Sequence, residues 1–450
     1  MLDELKTFAD SHYLDASVKL LRGSRKRGRR VMVSEGLKTG SSSAEIACDE
    51  SMVIAGGIHP RLASDRDGSI RASALIIEKD DRVCIVSCDV LALQRDLCDE
   101  LCREIEEKFG IPFENILITA THTHHAPSTV TIHAYGRDEL FVKNVKQAVL
   151  KAVDSATHSL KSVGMSFWLG IESTVGQNSR LLLSDNTIYW VGPRDDALRP
   201  TGPFDPDLPV ILFKKEDGNP EAVVFNHSTH NIGSINPGAV SPGFYGLAAQ
   251  ELEEEAGGNF LFLPGASGST HNLVLPTDEM ILRIKNAIRE AMLQSQPRTV
   301  QRIVSVKKEF EYHVRRFDEE KEEKAVSYYC KKRVDNPEPV IEVFRRMRRE
   351  LSTHQGETRR SWLQTILLGD IALVGVPGEL FTKLGIIMKR LSPFRYTFII
   401  QLANDWIGYI PDKQAYELGG YQTWTGFHSY VEKGTGEMLV EKTVQMLHNL

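Results

Sequence analysis

Three histidines stand almost together in Ile118-Thr119-Ala120-Thr121-His122-Thr123-His124-His125-Ala126-Pro127. The apolar run 115–120 precedes them. A short apolar run bounded by breakers reads as a buried strand. Its end delivers imidazoles to the mouth of a sheet, where open α/β folds bind ligands. In extended chain His122 and His124, two residues apart, point the same way. Two neutral imidazoles aimed into one crevice suit a metal ion, or a metal together with a hydrogen-bond donor to substrate. The competing reading of this stretch alone is a hydrogen-bonded turn with incidental histidines.

Other strand-like runs end in residues of the same kind. Run 222–226 leads into His227-Ser228-Thr229-His230, and run 362–376 into Pro377-Gly378-Glu379. Run 396–402 leads into Asn404-Asp405-Trp406-Ile407-Gly408-Tyr409, and run 259–263 into the glycine-rich stretch 265–272. Each has an ordinary structural reading. A glutamate after Pro-Gly complements a helix dipole, a tyrosine after glycine packs, and a histidine at a strand end satisfies a turn. Their recurrence at several strand ends points to one assembled site. Two histidines and a glutamate are a catalytic zinc ligand set that leaves a position open for water. The metal would lower the pKa of that water and polarise a carbonyl, which suits hydrolysis of an amide or ester.

The elements that must position these residues alternate along the chain. Strands are predicted at 73–78, 83–91, 115–120, 165–170, 187–191, 210–214, 222–226, 259–263, 304–314, within 362–376, and at 396–402. Helices are predicted at 95–109, 140–160, 244–255, 278–294, 381–391 and 437–450. This alternation argues for an α/β fold with its active site at strand C-terminal ends. Residues 1–45 read as a peripheral segment: a short helix, a basic stretch, then Gly40-Ser41-Ser42-Ser43. Residues 46–450 read as one catalytic domain. The charge-rich stretch 316–350, broken near Asn336-Pro337, is the candidate insertion or lid.

Composition excludes some classes. The 450-residue chain is 41% hydrophobic and carries a net charge of −6, so it has no overall footprint for nucleic acid. The basic stretch 22–30 holds six Lys or Arg residues without aromatic interleaving and reads as a solvated arm. No run has the length of a membrane span, and the acidic N-terminus carries no apolar signal core. The six cysteines are scattered, none in a Cys-x-x-Cys pair, which points to reduced thiols and a cytoplasmic location. The oligomeric state is left open.

The strand-end motifs, in this order, resemble the catalytic domain of the neutral/alkaline ceramidases and their shorter relatives. Residues 121–127, Thr-His-Thr-His-His-Ala-Pro, are similar to that family's Thr-His-Thr-His-Ser-Gly-Pro. Phe225-Asn226-His227-Ser228-Thr229-His230, Val376-Pro377-Gly378-Glu379-Leu380-Phe381 and Gly408-Tyr409-Ile410-Pro411, with Tyr416 and Tyr421 beyond, follow. The resemblance implies layered mixed β-sheets flanked by helices. It implies zinc (Zn2+) held by His122, His230, Glu379 and Tyr409, with His227 in reserve for His230. It further implies His124 and Tyr421 at the substrate carbonyl or oxyanion, and Arg180 as a substrate-binding arginine; a structural ion pair is the alternative for Arg180.

The chain also departs from that family. The aspartate of its Gly-Asp-Val stretch is replaced in Gly268-Ser269-Thr270-His271-Asn272, and the aspartate before its Phe-Pro-Gly is Gly243. His125 and Ala126 stand where it has Ser and Gly. His125 and His271 are expected to pack locally, or else to supply a proton donor or a contact to an anionic substrate. Taken together, a zinc-dependent hydrolase of a linear amide is expected, acting on a small or polar N-acyl substrate. The alternatives are a true ceramidase or N-acyl-lipid amidase, and a metal-binding protein without turnover.

Overall fold

The computed structural model describes residues 36–450; the basic stretch 22–30 and the short helix expected before it lie outside them. The first sheet holds β1 (Lys38–Glu45), β2 (Arg71–Glu78), β3 (Arg82–Cys88) and β4 (Ile116–Ala120), ordered β4-β3-β2-β1 with Lys161–Ser162 at the edge. β3 and β4 run parallel through α1 (Arg95–Phe109), and α2 (Glu139–His158) packs beside α1. The second sheet holds β5 (Gly164–Ile171), β6 (Asp207–Lys214), β7 (Pro220–His227) and β8 (Asn259–Pro264), ordered β8-β7-β6-β5 with Gln296–Arg298 outermost. β7 and β8 run parallel through α3 (Gly243–Ala256), which packs with α4 (Thr277–Gln294).

The third sheet opens with β9 (Ile303–His313), after which come α5 (Glu319–Arg333) and α6 (Pro337–Leu351). β10 (Thr358–Leu368) and β11 (Ile371–Gly375) follow, then α7 (Thr382–Leu391), β12 (Tyr396–Ile400) and α8 (Thr435–His448), the strands lying in chain order. β11 and β12 again run parallel through α7.

Burial on two faces explains why these strands are legible as apolar runs. Leu75, Ile77, Val83 and Ile85 share a central core with Val224, Leu261, Leu263, Ile371 and Leu373. Their neighbours point the other way: Ala74, Ile76, Cys84 and Val86 toward α1 and α2, Val223 and Phe260 toward α3 and α4, and Ala372 and Val374 toward α7 and α8. The three sheets thus turn their inner faces to one core and their outer faces to helices. A parallel pair covered on both sides must be apolar throughout, and a crossover helix is what joins parallel neighbours. Each sheet contributes one such strand–helix–strand unit. The C-terminal ends of all three units carry the chemical residues.

Two expectations are corrected. Residues 38–45 do not belong to a peripheral segment; they form β1, paired with β2 along its whole length. Their polarity is absorbed by hydroxyl bonds: Ser41 Oγ donates to the Glu221 carbonyl at 2.8 Å, and Ser43 Oγ lies 2.8 Å from Ser73 Oγ. Gly40 is required there, because a Cβ would sit 2.1 Å from the Ala156 carbonyl oxygen of α2. Residues 187–191 are not a strand of any sheet; Asn186 turns the chain at φ 62° and leaves only a bridge between Leu182 and Ile188. The charged segment, expected to be helical with a break near Asn336-Pro337, is a hairpin of α5 and α6. Asp318 caps α5 by accepting from the amides of Glu320 and Lys321. The buried Arg348 of α6 reaches Glu319 at 2.8 Å and Glu323 at 2.6 Å. Its apolar face, through Phe344 and Met347, packs on Tyr329 and Trp424.

Asp89, just past β3, gives the fold a pH dependence. Burial pushes its carboxyl up to about 7, against the lowering influence of Arg71 and Thr121. The unfolded chain releases this proton near about pH 4. Between about pH 4 and pH 7 the folded protein therefore binds the extra proton, and stability falls as pH rises through that window. Asp89→Asn is expected to flatten this fall in melting temperature; an unchanged slope would contradict it.

Candidate metal centre

β4 ends at Ala120, and the Thr121 amide still bonds the Cys88 carbonyl at 2.8 Å. The chain then leaves the strand abruptly, because His122 adopts φ 61°. A left-handed non-glycine residue costs about 1–3 kcal/mol and persists only where its surroundings fix it. The expected extended alternation of His122 and His124 is therefore not the reason they meet. The turn brings them together instead, with Nε2 atoms 3.3 Å apart. His230 enters from the segment after β7, its ring centroid 4.6 Å from that of His122.

Each ring has its tautomer set by a carbonyl, which can only accept. His122 Nδ1 donates to Leu91 O at 2.8 Å, and His230 Nδ1 to Ser267 O at 2.8 Å. His124 Nδ1 donates to Gly56 O over a longer 3.3 Å. The three Nε2 atoms are consequently bare lone pairs directed at one another. This is the outer hydrogen bonding that metal-ligating histidines carry. Burial holds the His124 and His230 imidazoles below their ordinary range, and so neutral.

Glu379 follows β11 in a two-residue parallel pairing, Glu379–Leu380 with Tyr409–Ile410. That pairing places Glu379 and Tyr409 side by side. Glu379 Oε1 accepts from Trp406 Nε1 at 3.0 Å, while the buried Oε2 has no hydrogen-bond partner. Oε2 lies 3.3 Å from His122 Nε2 and 3.2 Å from His230 Nε2. Tyr409 Oη is 3.2 Å from His230 Nε2.

An orphaned carboxylate oxygen facing bare imidazole nitrogens is repulsive unless a cation sits between them. Four donors about 2.0–2.1 Å from a tetrahedral ion lie roughly 3.3 Å apart. Three contacts among His122, His230, Glu379 and Tyr409 match that value: His122–Glu379 at 3.3 Å, His230–Glu379 at 3.2 Å and His230–Tyr409 at 3.2 Å. The donor set therefore fits a divalent metal. Among the described residues, His122, His124 and His230 have their ligand atoms within 4.8 Å of one another.

Trp406→Phe removes the one hydrogen bond that orients Glu379. It is expected to weaken metal affinity by about 10–100-fold with the fold intact, read by titration against a competing chelator. An unchanged affinity would contradict that role.

Beside these donors lies a small void of about 20 Å³, lined by His122, Glu379, His133, Tyr421 and His428 among others. Next to it is a cleft of about 240 Å³, lined by His124, Tyr189, Trp190, His271, Tyr409 and Tyr421 among others. Tyr421 thus lines both. His271 stacks on His230, centroids 4.0 Å apart at 17°, and faces the cleft rather than packing away from it. His125 packs locally, its Nε2 accepting from the Gly233 amide at 3.0 Å. His227 is turned away: Nδ1 meets Tyr245 Oη at 2.5 Å and Nε2 the Glu172 carbonyl at 3.0 Å.

Arg180 lines neither the void nor the cleft. Its buried guanidinium donates to Gln422 Oε1 at 2.8 Å and to the carbonyls of Gly419 at 2.6 Å and Ala415 at 3.3 Å. It therefore braces the segment that carries Tyr421. Sequence reasoning missed Gly56, His133, Trp190, Trp406 and His428. Trp406 lay within a recognised motif; the others had no spacing signal, since their partners are remote in the chain.

No family model matches the chain. Neutral ceramidase A of Dictyostelium discoideum is 25% identical over 206 residues, 42% of this chain and 27% of that protein, so the match spans about a quarter of the relative's length. The crystal structure of neutral ceramidase from Pseudomonas aeruginosa superposes with a TM-score of 0.71 at 16% identity, covering 92% of this chain and 75% of that one. A ceramidase complexed with C2 gives 0.72 at 17% identity, with the same coverages. The chain thus shares the mixed α/β fold of these neutral ceramidase structures and is similar to neutral ceramidase A over part of its length.

Proposed function

We propose that this protein is a zinc-dependent amidase that cleaves a small or polar N-acyl substrate. The observation that carries the reading is the set of carbonyl-anchored histidines around the unpaired Glu379 Oε2, with spacings that fit a tetrahedral cation. His122, His230 and Glu379 would hold the ion, with Tyr409 as the fourth donor. When bound, such an ion supplies a Lewis acid for a carbonyl and lowers the pKa of water at the site.

The residues around it divide the remaining work. His124 has the longest Nδ1 contact of the three, 3.3 Å against 2.8 Å. It is the ring that can most readily change tautomer and turn an Nε2–H toward a developing oxyanion. Tyr421 and Trp190 form a wall against which the substrate is oriented. Glu379 accepts a hydrogen bond from Trp406 on one oxygen and leaves its other oxygen free within the site.

The cleft volume supports the substrate class. At about 240 Å³ it lies below the 300–1,000 Å³ common for drug-sized ligands. The six unpaired cysteines support a reducing, cytoplasmic setting, and among the described residues no helix is long and apolar enough to cross a membrane. A second reading, a long-chain N-acyl-lipid amidase, draws on the ceramidase likeness and on Val191 and Leu273 in the cleft.

An acyl-chain series from acetyl to palmitoyl on one amine, with zinc-loaded protein, separates the two. The small-substrate reading expects kcat/KM to fall with chain length; a rise in detergent would establish the lipid reading. Bound zinc with no turnover across the series would contradict both.

A further inference from the structure

His133 and Tyr421, 288 residues apart in sequence, meet beside the proposed metal centre. The Tyr421 ring is clamped on both faces, by Trp190 at 4.7 Å and 4°, and by His428 at 4.6 Å and 19°. It has no free rotation, so the direction of its hydroxyl bond decides what it offers the cleft. Tyr421 Oη lies 3.0 Å from His133 Nε2.

The other nitrogen settles that direction. His133 Nδ1 is 3.0 Å from the Gly57 carbonyl. A carbonyl only accepts, so Nδ1 carries the proton. Burial pushes this imidazole down to about 4, so it is neutral and holds a single N–H. Nε2 is then bare and takes the Tyr421 phenolic proton.

The scaffold around His133 fixes this arrangement. Its carbonyl accepts from Arg346 Nη2 at 2.6 Å. Tyr135 Oη donates to the same Gly57 carbonyl at 3.0 Å and accepts from the Gly56 amide at 2.8 Å. His133 itself is held at φ 50°, a conformation kept only where the surroundings determine it.

With its one proton committed to His133, Tyr421 turns lone pairs toward the cleft. We propose that His133 is a positioning residue that makes Tyr421 a hydrogen-bond acceptor, so that the site selects secondary amides, whose N–H it can receive, over esters and N-alkylated amides. The inference rests on the amidase reading and corrects the oxyanion-donor role expected for Tyr421. A site built to accept a substrate N–H rejects an isostere without one, because its polar group is then left facing a lone pair or a methyl.

The test uses zinc-loaded full-length protein and three matched substrates: an acetyl arylamide, its N-methyl analogue and the corresponding aryl ester. Each rate is divided by that for hydroxide in water. The wild type is expected to favour the secondary amide over both others by about 100-fold or more. His133→Leu frees the phenolic proton and is expected to reduce the preference by at least about 10-fold. His133→Gln, which can donate to Gly57 and accept from Tyr421, is expected to restore it. Tyr421→Phe is expected to lose it without any change at His133, which keeps the test decisive if the leucine variant does not fold. Turnover with a ratio unmoved in His133→Leu and Tyr421→Phe overturns the inference alone. Bound zinc with no turnover of any substrate by the wild type overturns the amidase reading, and the inference with it.

Discussion

Glu379→Gln is expected to abolish metal binding and at the same time to raise the melting temperature of the metal-free protein. Both effects come from one atom. Glu379 Oε2 is buried without a hydrogen bond and faces two imidazole nitrogens at 3.2–3.3 Å. An unpaired buried polar atom costs about 1–3 kcal/mol, more when charged. Glutamine keeps the shape and can keep the bond from Trp406, but its amide can donate to a bare histidine nitrogen and it carries no charge for a cation. The metal-free variant should therefore be more stable than metal-free wild type by about 1–3 kcal/mol. Metal should reverse the order, since ligand at 1,000 times its Kd adds about 4 kcal/mol to a protein that binds it. Thermal denaturation of both proteins, with and without zinc, reads all four states. A metal-free variant less stable than wild type would mean that Glu379 serves packing.

Gly268→Ala is expected to have the second large effect. A Cβ there would lie 2.2 Å from the Glu379 carbonyl oxygen and 2.8 Å from its carbonyl carbon. These are backbone atoms that cannot step aside. The Gly268 amide also donates to the Leu380 carbonyl at 2.9 Å. The loop after β8 is thus stacked on the short strand that presents Glu379. Overpacking of this kind costs typically about 1–3 kcal/mol, and the shift should move Glu379 relative to the histidines. Lower stability together with at least a tenfold loss of metal affinity is expected, the latter by competition titration. Lower stability with unchanged affinity would separate this loop from the metal centre.

How much of this was legible in the sequence follows from burial. The parallel pairs β3–β4, β7–β8 and β11–β12 are covered on both faces, so they read as apolar runs, and the residues just beyond them stood out as polar punctuation. That is why the strand ends carrying His122, His230, Glu379 and Tyr409 stood out, while the resemblance to the neutral/alkaline ceramidases is what implied these four as one ligand set. β1 was not legible, because Gly40, Ser41 and Ser43 serve close helix approach and hydroxyl bonding to neighbouring strands rather than apolar burial. Residues 187–191 are apolar for another reason: Tyr189, Trp190 and Val191 line a cleft.

The tautomers were beyond sequence altogether. They are set by the carbonyls of Leu91, Gly56, Gly57 and Ser267, and a carbonyl is present at every residue. Arg180 is a motif-like arginine whose two readings, substrate contact or structural partner, the sequence left open; its guanidinium bonds the backbone of the segment it braces.

Metal content measured by elemental analysis on protein purified without added metal, wild type beside His122→Ala, bears most directly on the central claim. About one zinc per chain in the wild type, lost in the variant, is the predicted result. A wild-type protein that holds no divalent metal, even after reconstitution with zinc, would contradict it.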